Sequence, residues 1–371
     1  MQYSEILAEL SAQHRLRTIP RETDRQMIDL LSNDYMGLAA SADDYSAEFM
    51  DRFGDAPFTS AASRLLSRRH RYHNMLEEQL SHLYHRPALI FNSGYHANVG
   101  LMQALAVPGT LILSDRLIHA SSIDGIRLAK REFRRFAHND INDISRLLSQ
   151  YAGQYERVII VIESVYSMDG DLAPLQEIIA LKHTYPNLMV CLDEAHAFGV
   201  RGANGLGLAE ELGLIDRVDI IVGTLGKAAA SVGAFIIADE EIISLLINTA
   251  RPFIFSTALP PVNCAWSSLM IEKLTAMSEQ REYLRSLSSG FITAVNKISP
   301  IPSPSQSQII PVITGDAELA LRLAERCNSA GYDCMAIRRP TVPPGGERLR
   351  ISLNATLTPD VLSPLLDIIR I

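Results

Sequence analysis

The sequence predicts an α/β fold with a mostly parallel sheet that is covered by helices on both faces. Between about residues 70 and 260, apolar runs of strand length alternate with stretches of helical periodicity. This alternation is typical of parallel sheets, because each crossover connection lays a helix on one face of the sheet. The 47% of hydrophobic residues is enough for a large core. A second, shorter alternation near the C-terminus predicts a smaller α/β domain.

The N-terminal part of the pattern begins with an amphipathic helix, predicted over residues 4–17. The strand-like runs that follow are 88–91, 110–114, 157–162, 188–193, 219–223 and 233–238. The helical stretches between them include 71–84, 94–105, 141–151, 174–184 and 207–213. We therefore predict an N-terminal helix and arm over 1–42, followed by a large domain over 43–260.

The C-terminal part begins where Pro260 and Pro261 interrupt the alternation. One long helix is predicted over 262–296, and a Pro/Ser-rich loop follows it at 299–305. The remaining pattern is strand 308–313, helix 316–330, strands 333–337 and 348–353, and helix 359–369. This pattern predicts a small C-terminal domain over 261–371.

Composition excludes several classes of function. The net charge of −8 argues against nucleic-acid binding as the main task, and no run approaches the roughly 18 apolar residues of a membrane helix. The first ten residues lack the apolar centre of a signal peptide. The four cysteines have no metal-ligand spacing, as expected for thiols in a reducing compartment. We expect a cytoplasmic protein with no nucleic-acid partner, no membrane partner and no structural metal.

Two strand ends carry residues that indicate a specific chemistry. Lys227 comes shortly after the run 219–223, and Asp193 ends the run 188–193. A lysine can hold pyridoxal phosphate as a Schiff base, and an aspartate can keep its pyridine nitrogen protonated, which makes the ring an electron sink. Either residue alone is more often a surface lysine or a helix-capping aspartate. The pair, each after a buried-type strand, predicts a pyridoxal phosphate site at the carboxyl edge of the sheet.

Three further segments could complete such a site. The segment 91–98 follows a strand and opens a helix, so its amides could bind a phosphate that Gly94 allows to approach closely. His119 could stack on the pyridine face, and Ser167 could bond to the phenolic oxygen of the ring. Taken alone, an ordinary turn and a structural histidine are the commoner explanations. The adjoining Asp169-Gly170-Asp171 is interpreted as a tight turn.

A candidate anion site lies in the small domain. The strand pattern of 348–353 places Arg348 and Arg350 on one face and apolar residues on the other. A guanidinium fork suits the carboxylate of an amino-acid substrate, although a solvated strand face explains the pattern equally well. The basic stretch 67–73 could attract a phosphate-rich acyl carrier, but such a run is more often a solvated helix face.

Motifs along nearly the whole chain resemble those of the α-oxoamine synthases, a family of fold-type I pyridoxal phosphate enzymes. The segments that carry the resemblance are 33–38, 134–140, 166–171, 193–196, 223–227 and 255–261. The segment 336–350 resembles the branch that condenses L-alanine with a pimeloyl thioester. The resemblance implies the fold-type I transferase architecture, with a mostly parallel seven-stranded sheet in the large domain and a smaller α/β C-terminal domain.

The resemblance also implies roles for single residues. The implied cofactor-binding residues are Lys227, Asp193, His196, His119, Gly94, Tyr95, Ser167, Thr224, Glu163 and Thr257. Of these, the residues with an implied catalytic role are Lys227, His119, Asp193, His196 and Ser167. Arg350 would bind the amino-acid carboxylate with Asn33 nearby, and Arg15 or Arg17 would meet the far end of the acyl chain. The family forms homodimers, in which Thr257 would reach the phosphate bound by the neighbouring subunit.

The implied reaction is a decarboxylative Claisen condensation of L-alanine with a pimeloyl thioester, carried by coenzyme A or an acyl carrier protein. Its products would be 8-amino-7-oxononanoate, carbon dioxide and free thiol, on the path to biotin. Residues 59–64 and 228–230 depart from the family pattern and could reshape a substrate pocket. The alternative is therefore a related synthase that uses glycine, serine or another acyl-CoA. A non-catalytic scaffold is disfavoured, because Lys227 and Asp193 are both present.

Overall fold

The computed structural model describes residues 2–19 and 25–371 and confirms the α/β fold class. The chain divides into two compact units. The large unit contains residues 36–166 and 172–281, and the small unit contains 167–171, 282–371 and the described part of 1–35. The predicted domain limits at 42 and 260 stay a prediction, since a compact unit is not by itself an independently folding domain.

The strands are β1 (Ile28–Asp29), β2 (Ala88–Phe91), β3 (Thr110–Asp115), β4 (Phe133–Phe136), β5 (Arg157–Glu163), β6 (Leu188–Asp193), β7 (Ile220–Thr224), β8 (Ala234–Ile237), β9 (Ile309–Ile313), β10 (Tyr332–Asp333), β11 (Met335–Ile337) and β12 (Arg348–Ser352). The α-helices are α1 (Tyr3–Ala12), α2 (Ser46–Phe53), α3 (Arg71–Tyr84), α4 (Gly94–Leu105), α5 (Ala120–Ala129), α6 (Ile141–Tyr151), α7 (Leu175–Ala180), α8 (Leu208–Glu211), α9 (Glu240–Thr249), α10 (Arg251–Phe255), α11 (Pro261–Ala276), α12 (Ser278–Ile298), α13 (Ala317–Ser329) and α14 (Pro359–Ile368).

The large unit is built on a seven-stranded sheet with the order β2-β8-β7-β6-β5-β3-β4. Only β8 runs antiparallel to its neighbours, and the others are parallel to one another. The central strands are buried along nearly their whole length, as expected for a sheet with helices on both faces. The carboxyl ends of β2, β3, β5, β6 and β7 therefore meet at one edge of the sheet.

The main core lies between this sheet and α4. Leu101 and Met102 of α4 are fully buried in one cluster with Ile159 of β5 and Val222 of β7. Because α4 is packed in this way, its N-terminus is fixed next to the carboxyl edge of the sheet. Each of these large side chains contributes about 1.5–3 kcal/mol through burial.

The small unit contains a three-stranded antiparallel sheet, β11-β12-β9, and a short parallel pair between β1 and β10. The segment 167–171 belongs to this unit because it lies against β9 and the loop before it. A Cβ atom on Gly170 would come within 1.9 Å of the carbonyl oxygen of Ile309. Gly170 has a φ of 70°, and its own carbonyl accepts a hydrogen bond from the amide of Gln306 at 3.0 Å.

Three predicted helical limits were wrong. The helix predicted over 4–17 ends at Ala12, because His14 has a left-handed conformation with a φ of 53°. The single helix predicted over 262–296 is two helices, α11 and α12, which are separated at Met277. The guanidinium of Arg281 donates to the carbonyls of Leu274 and Thr275 and so satisfies the acceptors that the break leaves. The helical stretch 174–184 continues beyond α7 only as a 3₁₀ turn.

Two strand predictions also differ from the structure. The run 333–337 is divided into β10 and β11, which pair with different strands. The strand β4 was absent from the predicted runs, because it lies at the edge of the sheet and two of its four residues are arginines.

A buried hydrogen-bonded cluster joins α3 to the loop before it in the large unit. Arg64 forms a bidentate pair with Glu77 at 2.8 and 3.0 Å, and both side chains are largely buried. Nε2 of the buried His73 lies 2.9 Å from the carbonyl oxygen of Leu259 and donates to it. Burial lowers the pKa of His73 to about 4, and the charge of Arg64 acts in the same direction. His73 is therefore neutral at pH 7.

Replacement of Gly170 by alanine should destabilise the protein by about 2 kcal/mol or more, because the residue needs a left-handed backbone and has no room for a Cβ atom. Gly290→Ala is the matched control: its position is helical and nothing lies within 4 Å of the added atom. That variant should be neutral or gain up to about 1 kcal/mol. Equal unfolding midpoints in urea for the two variants would contradict the assignment of Gly170.

The protonation of His73 should appear in the pH dependence of stability. The unfolded chain binds a proton at His73 below about pH 6.5, whereas the folded chain does so only near 4, so the free energy of unfolding falls as pH falls across this interval. The variant His73→Gln should lack this component, and the exposed control His82→Gln should keep it. Chemical denaturation between pH 7 and 4 measures the slopes. Parallel curves for the wild type and His73→Gln would refute the assignment.

Candidate active site

The carboxyl edge of the large sheet brings together residues that the sequence places far apart. Glu163 ends β5 and pairs in register with Asp193 at the end of β6. Asp193 in turn pairs with Val222 of β7, two residues before Thr224 ends that strand. Lys227 lies in the turn that follows, so one edge carries two carboxylates and a lysine.

A cavity of about 250 Å³ opens at this edge, and we call it the strand-end cavity. Its lining residues are Ser93, Gly94, Tyr95, Asn98, His119, Ser121, Glu163, Asp193, Ala195, His196, Thr224, Gly226, Lys227, Val232 and Gly233. Eight of the predicted cofactor residues are in this set, all from the large unit. The eight are Gly94, Tyr95, His119, Glu163, Asp193, His196, Thr224 and Lys227.

The lysine and one histidine are in direct contact. Nζ of Lys227 lies 2.8 Å from Nε2 of His196, which is buried just after β6. An amine and an imidazole at this distance can exchange a proton. The contact also holds the lysine side chain in the cavity.

Asp193 is nearly buried, and each of its oxygens accepts a hydrogen bond. Oδ2 accepts from the side-chain amide of Asn98 at 2.9 Å, and Oδ1 accepts from the backbone amide of Ala195 at 2.9 Å. A buried carboxylate needs such donors, because an unpaired charge in this environment is costly. The carboxylate that these contacts fix lines the strand-end cavity.

The start of α4 forms a tight cradle against β7. Ser93 caps the helix by accepting from the amide of His96 at 3.2 Å. A Cβ atom on Gly94 would lie 2.7 Å from Cγ2 of Thr224, so only glycine fits without a shift. Free amides at this helix start suit a phosphate group, and Thr224, whose hydroxyl donates to the carbonyl of Ala195 at 3.4 Å, lines the same cavity. Together with Lys227 and Asp193, this donor set fits pyridoxal phosphate.

A second carboxylate fixes the loop after β6. Glu194 is fully buried and accepts from the amides of Leu208 and Ala209 at 3.0 and 2.8 Å, at the start of α8. Burial raises the pKa of Glu194 to about 7. Because Glu194 lies between Asp193 and His196 in the sequence, these contacts anchor the chain that carries both residues.

The predicted substrate residues lie in the small unit. Arg350 is only 7% exposed, which rules out the solvated strand face for this position. Its Nε donates to the carbonyl of Ser167 at 2.7 Å, and its terminal nitrogens donate to Ser352 at 2.7 Å and to Asn33 at 3.1 Å. The structure thus places Arg350, Asn33 and Ser167 in one cluster.

Arg348, which the strand pattern places on the same face as Arg350, also has a partner in the turn at Gly170. Arg348 is also buried and forms a 2.7 Å ion pair with Asp169. Asp169 therefore holds the strand β12, besides being part of the turn at Gly170.

The other predicted residues lie outside these groups. Arg15 follows the end of α1 in the small unit, and its guanidinium donates to Gln13 at 2.9 Å. Thr257 is exposed in the large unit, where its carbonyl accepts from Asn92 at 2.6 Å. Neither residue is among those that line the strand-end cavity.

Two polar residues that line the cavity were not predicted from the sequence to have a role. Asn98 and Ser121 are buried and lie between Asp193 and His119. The available signal was a polar residue, Asn98, directly before the apolar stretch 99–102 of α4. A residue of that kind must find a partner when it is buried.

Comparison with known proteins identifies the family. The model of class I and II aminotransferases matches residues 25–369. The chain belongs to this family. Among the described residues, every helix is too short or too polar to cross a membrane.

Individual relatives indicate which branch of the family this chain resembles. A Pasteurella multocida protein named "Putative 8-amino-7-oxononanoate synthase" is 45% identical over 366 residues, covering 96% of this chain and 95% of that protein. Serine palmitoyltransferase from S. paucimobilis, solved with bound PLP, has a TM-score of 0.87 and 28% identity, covering 99% of this chain and 95% of that one. The crystal structure of 8-amino-7-oxononanoate synthase from Francisella tularensis has a TM-score of 0.76 and 28% identity, covering 92% and 96%.

These relatives confirm the resemblance to α-oxoamine synthases and the fold-type I class. They also confirm the prediction of a pyridoxal phosphate-dependent enzyme of the acyltransferase type. The roles of the single residues stay predictions.

Lys227→Ala should lose turnover by at least about a thousandfold and lose the visible absorbance of the lysine-bound cofactor, because no other amine lines the cavity in the described residues. The control Lys297→Ala removes an exposed lysine and should keep both signals. Absorbance spectra and rate measurements on the two proteins check this. Normal turnover by Lys227→Ala would show that another group does the chemistry.

Proposed function

We propose that the protein catalyses the decarboxylative condensation of L-alanine with a pimeloyl thioester, giving 8-amino-7-oxononanoate, carbon dioxide and free thiol. The observation that carries the proposal is the pairing of Lys227 and Asp193 in one cavity of a chain that is 45% identical to a protein named for this product. The product would then serve biotin synthesis.

The cavity residues suggest how the cofactor is held. Lys227 would bind it through Nζ, and Asp193 would accept a hydrogen bond from the pyridine nitrogen. Thr224 and the amides that follow Ser93 would bind the phosphate at the cradle. Bound pyridoxal phosphate supplies an electron sink that stabilises negative charge at the α-carbon of the substrate.

Two residues would move or hold protons during the reaction. Lys227 would take the α-proton of the substrate at Nζ, as a general base placed within the cavity. His196, 2.8 Å away, would orient this amine and exchange a proton with it. His119 and Glu163 line the same cavity.

Arg350 is the proposed receptor for the amino-acid carboxylate. Its guanidinium is held by the carbonyl of Ser167 and the side chains of Ser352 and Asn33. A carboxylate would compete with the 3.1 Å contact to Asn33, the longest of these three, since a charge-assisted bond is stronger. Asn33 would then turn to the substrate. Arg15 is the proposed contact for the acyl chain.

The unusual residues after the lysine bear on the choice of substrate. Ala228 and Ala229 are buried, and neither lines the strand-end cavity. Ala228 would meet a Cβ atom on Gly199 at 2.7 Å, so these small residues are needed for close packing behind Lys227. The departure at these two positions therefore gives no reason to replace L-alanine as the proposed substrate. The high TM-score to serine palmitoyltransferase supports a common fold with the related synthases, but it does not favour serine as the substrate.

We also propose that the working form is a homodimer. Several large apolar side chains of the large unit are more than half exposed, among them Phe58, Leu65, Leu66 and Phe255. An exposed apolar group of this kind is typical of an interface. Thr257, two residues after Phe255, would then lie close to the second copy.

The test supplies L-alanine, glycine or L-serine together with pimeloyl-CoA or a pimeloyl carrier protein. Mass spectrometry and thiol release should show 8-amino-7-oxononanoate with L-alanine, at a rate at least about tenfold above that with the other amino acids. The variant Lys227→Ala is the blank. Product from serine or glycine alone would keep the enzyme class and refute the substrate, and the two thioesters reveal the carrier.

A further inference from the structure

A chain of hydrogen bonds in the strand-end cavity joins Asp193 to His119 through two residues without an assigned role. We propose that Asn98 and Ser121 are positioning residues, which hold His119 as a neutral ring with its proton on Nε2 and tie it to the carboxylate of Asp193. The proposal rests on the proposed function only in what it says about cofactor binding and the reaction. The protonation pattern itself follows from the contacts.

The first step is the direction of the bonds at His119. The backbone amide of Ser121 lies 3.2 Å from Nδ1 of His119 and can only donate to it. Nδ1 therefore carries a lone pair and no proton. The hydroxyl of Ser121, 2.7 Å from the same atom, must donate as well. The single proton of the neutral ring is thus on Nε2.

The second step fixes the hydroxyl of Ser121. The side-chain amide of Asn98 donates to this oxygen at 3.0 Å, so the hydroxyl proton is left for His119. The other proton of the same nitrogen goes to Oδ2 of Asp193 at 2.9 Å. A carboxylate only accepts, which determines which end of the Asn98 amide faces it.

The third step is the burial of the connecting residues. Ser121 is fully buried and Asn98 is 3% exposed, so water does not replace a lost partner without a rearrangement. The position of His119 in the cavity is therefore coupled to the position of Asp193 at the end of β6.

The charges around His119 agree with a neutral ring. Asp193, Lys227 and Asp124 face it. The two carboxylates favour a charged imidazole, whereas the charge of Lys227 opposes it. Desolvation is the largest effect and lowers the pKa of His119. Protonation of Nδ1 would in addition break the contact with the backbone amide of Ser121 and would force the Ser121 hydroxyl to turn from donor to acceptor.

A neutral ring has two consequences for the proposed reaction. It can lie against the cofactor ring without placing a second positive charge beside the pyridine nitrogen that Asp193 keeps protonated. Its Nε2–H group is a donor, and it is free of the contacts that occupy Nδ1. A substrate carboxylate or carbonyl oxygen can accept from it.

The test measures the tautomer directly. In holoenzyme with ¹⁵N-labelled histidine, long-range ¹H–¹⁵N spectra distinguish the two neutral forms and the imidazolium, and His119→Gln identifies the signal. We expect the Nε2–H form at pH 7 and above. A wild-type His119 that is protonated on Nδ1 at pH 7 overturns the proposal, whatever the variants do.

Two variants test the connecting residues. Ser121→Ala should raise the pKa of His119, because it removes a donor that opposes protonation of Nδ1. The acid limb of kcat/KM should then move to higher pH, with cofactor affinity reduced roughly tenfold. The control Ser122→Ala changes a buried neighbour in the same helix and should do neither.

Asn98→Asp keeps the shape and replaces a donor by an acceptor next to Asp193. Its cofactor affinity should fall by more than about tenfold at pH 8 and partly recover as pH falls, because a protonated carboxyl can donate again. A purely structural asparagine would give a loss that does not depend on pH. An unchanged His119 spectrum in both folded variants, verified by their thermal midpoints, refutes the positioning role.

The results of these experiments do not depend on whether the proposed substrate is correct. The tautomer and the cofactor affinity need no acyl donor. A protein that shows them but makes no 8-amino-7-oxononanoate refutes the substrate alone.

Discussion

The register of three parallel strands is the constraint on which the site depends. Glu163 of β5, Asp193 of β6 and Val222 of β7 lie side by side across the sheet. A slip of one residue would turn Asp193 to the other face of the sheet. Alternation cannot set this register, because the strands are buried on both faces. Asp219, directly before β7, ties that strand to β6: its carboxylate accepts from the amide of Val190 at 2.7 Å and pairs with Lys182 at 2.8 Å.

The cost of a nearly buried carboxylate explains much of the surrounding sequence. Asp193 is stabilised by a neutral amide, that of Asn98, and by the backbone of Ala195. Neutral donors stabilise the charge without cancelling it, so the carboxylate can still act on a bound cation. A direct salt bridge with an arginine would satisfy the burial equally well, but it would leave no charge for chemistry.

The fold was largely predictable because most of its elements are long and strongly patterned. The strands that end at Asp193 and Thr224 follow from apolar runs, and the meeting of their carboxyl ends follows from parallel topology. The strand β4 and the break at Met277 were not predictable in this way. The first has a polar edge pattern, and the second depends on Arg281, whose guanidinium reaches carbonyls that only the tertiary structure brings near.

The candidate site was likewise predictable only in part. Lys227 and Asp193 were predictable from their places at strand ends, and Gly94 from its place before a helix. The roles of Asn98 and Ser121 were not, because they depend on side-chain contacts between residues 23 and 95 positions apart. Sequence spacing contains no information on the direction of a hydrogen bond, and only the donors around His119 supply it.

The division of the chain between its two units has a consequence for synthesis on the ribosome. The large unit is complete once residue 281 has emerged, whereas the small unit combines segments from both ends of the chain. The partner of strand β1, β10, is made some three hundred residues after it. At about 5–20 residues per second, β1 stays without this partner for roughly 15 to 60 seconds. A nascent chain must therefore keep an unpaired strand from aggregation during most of its translation.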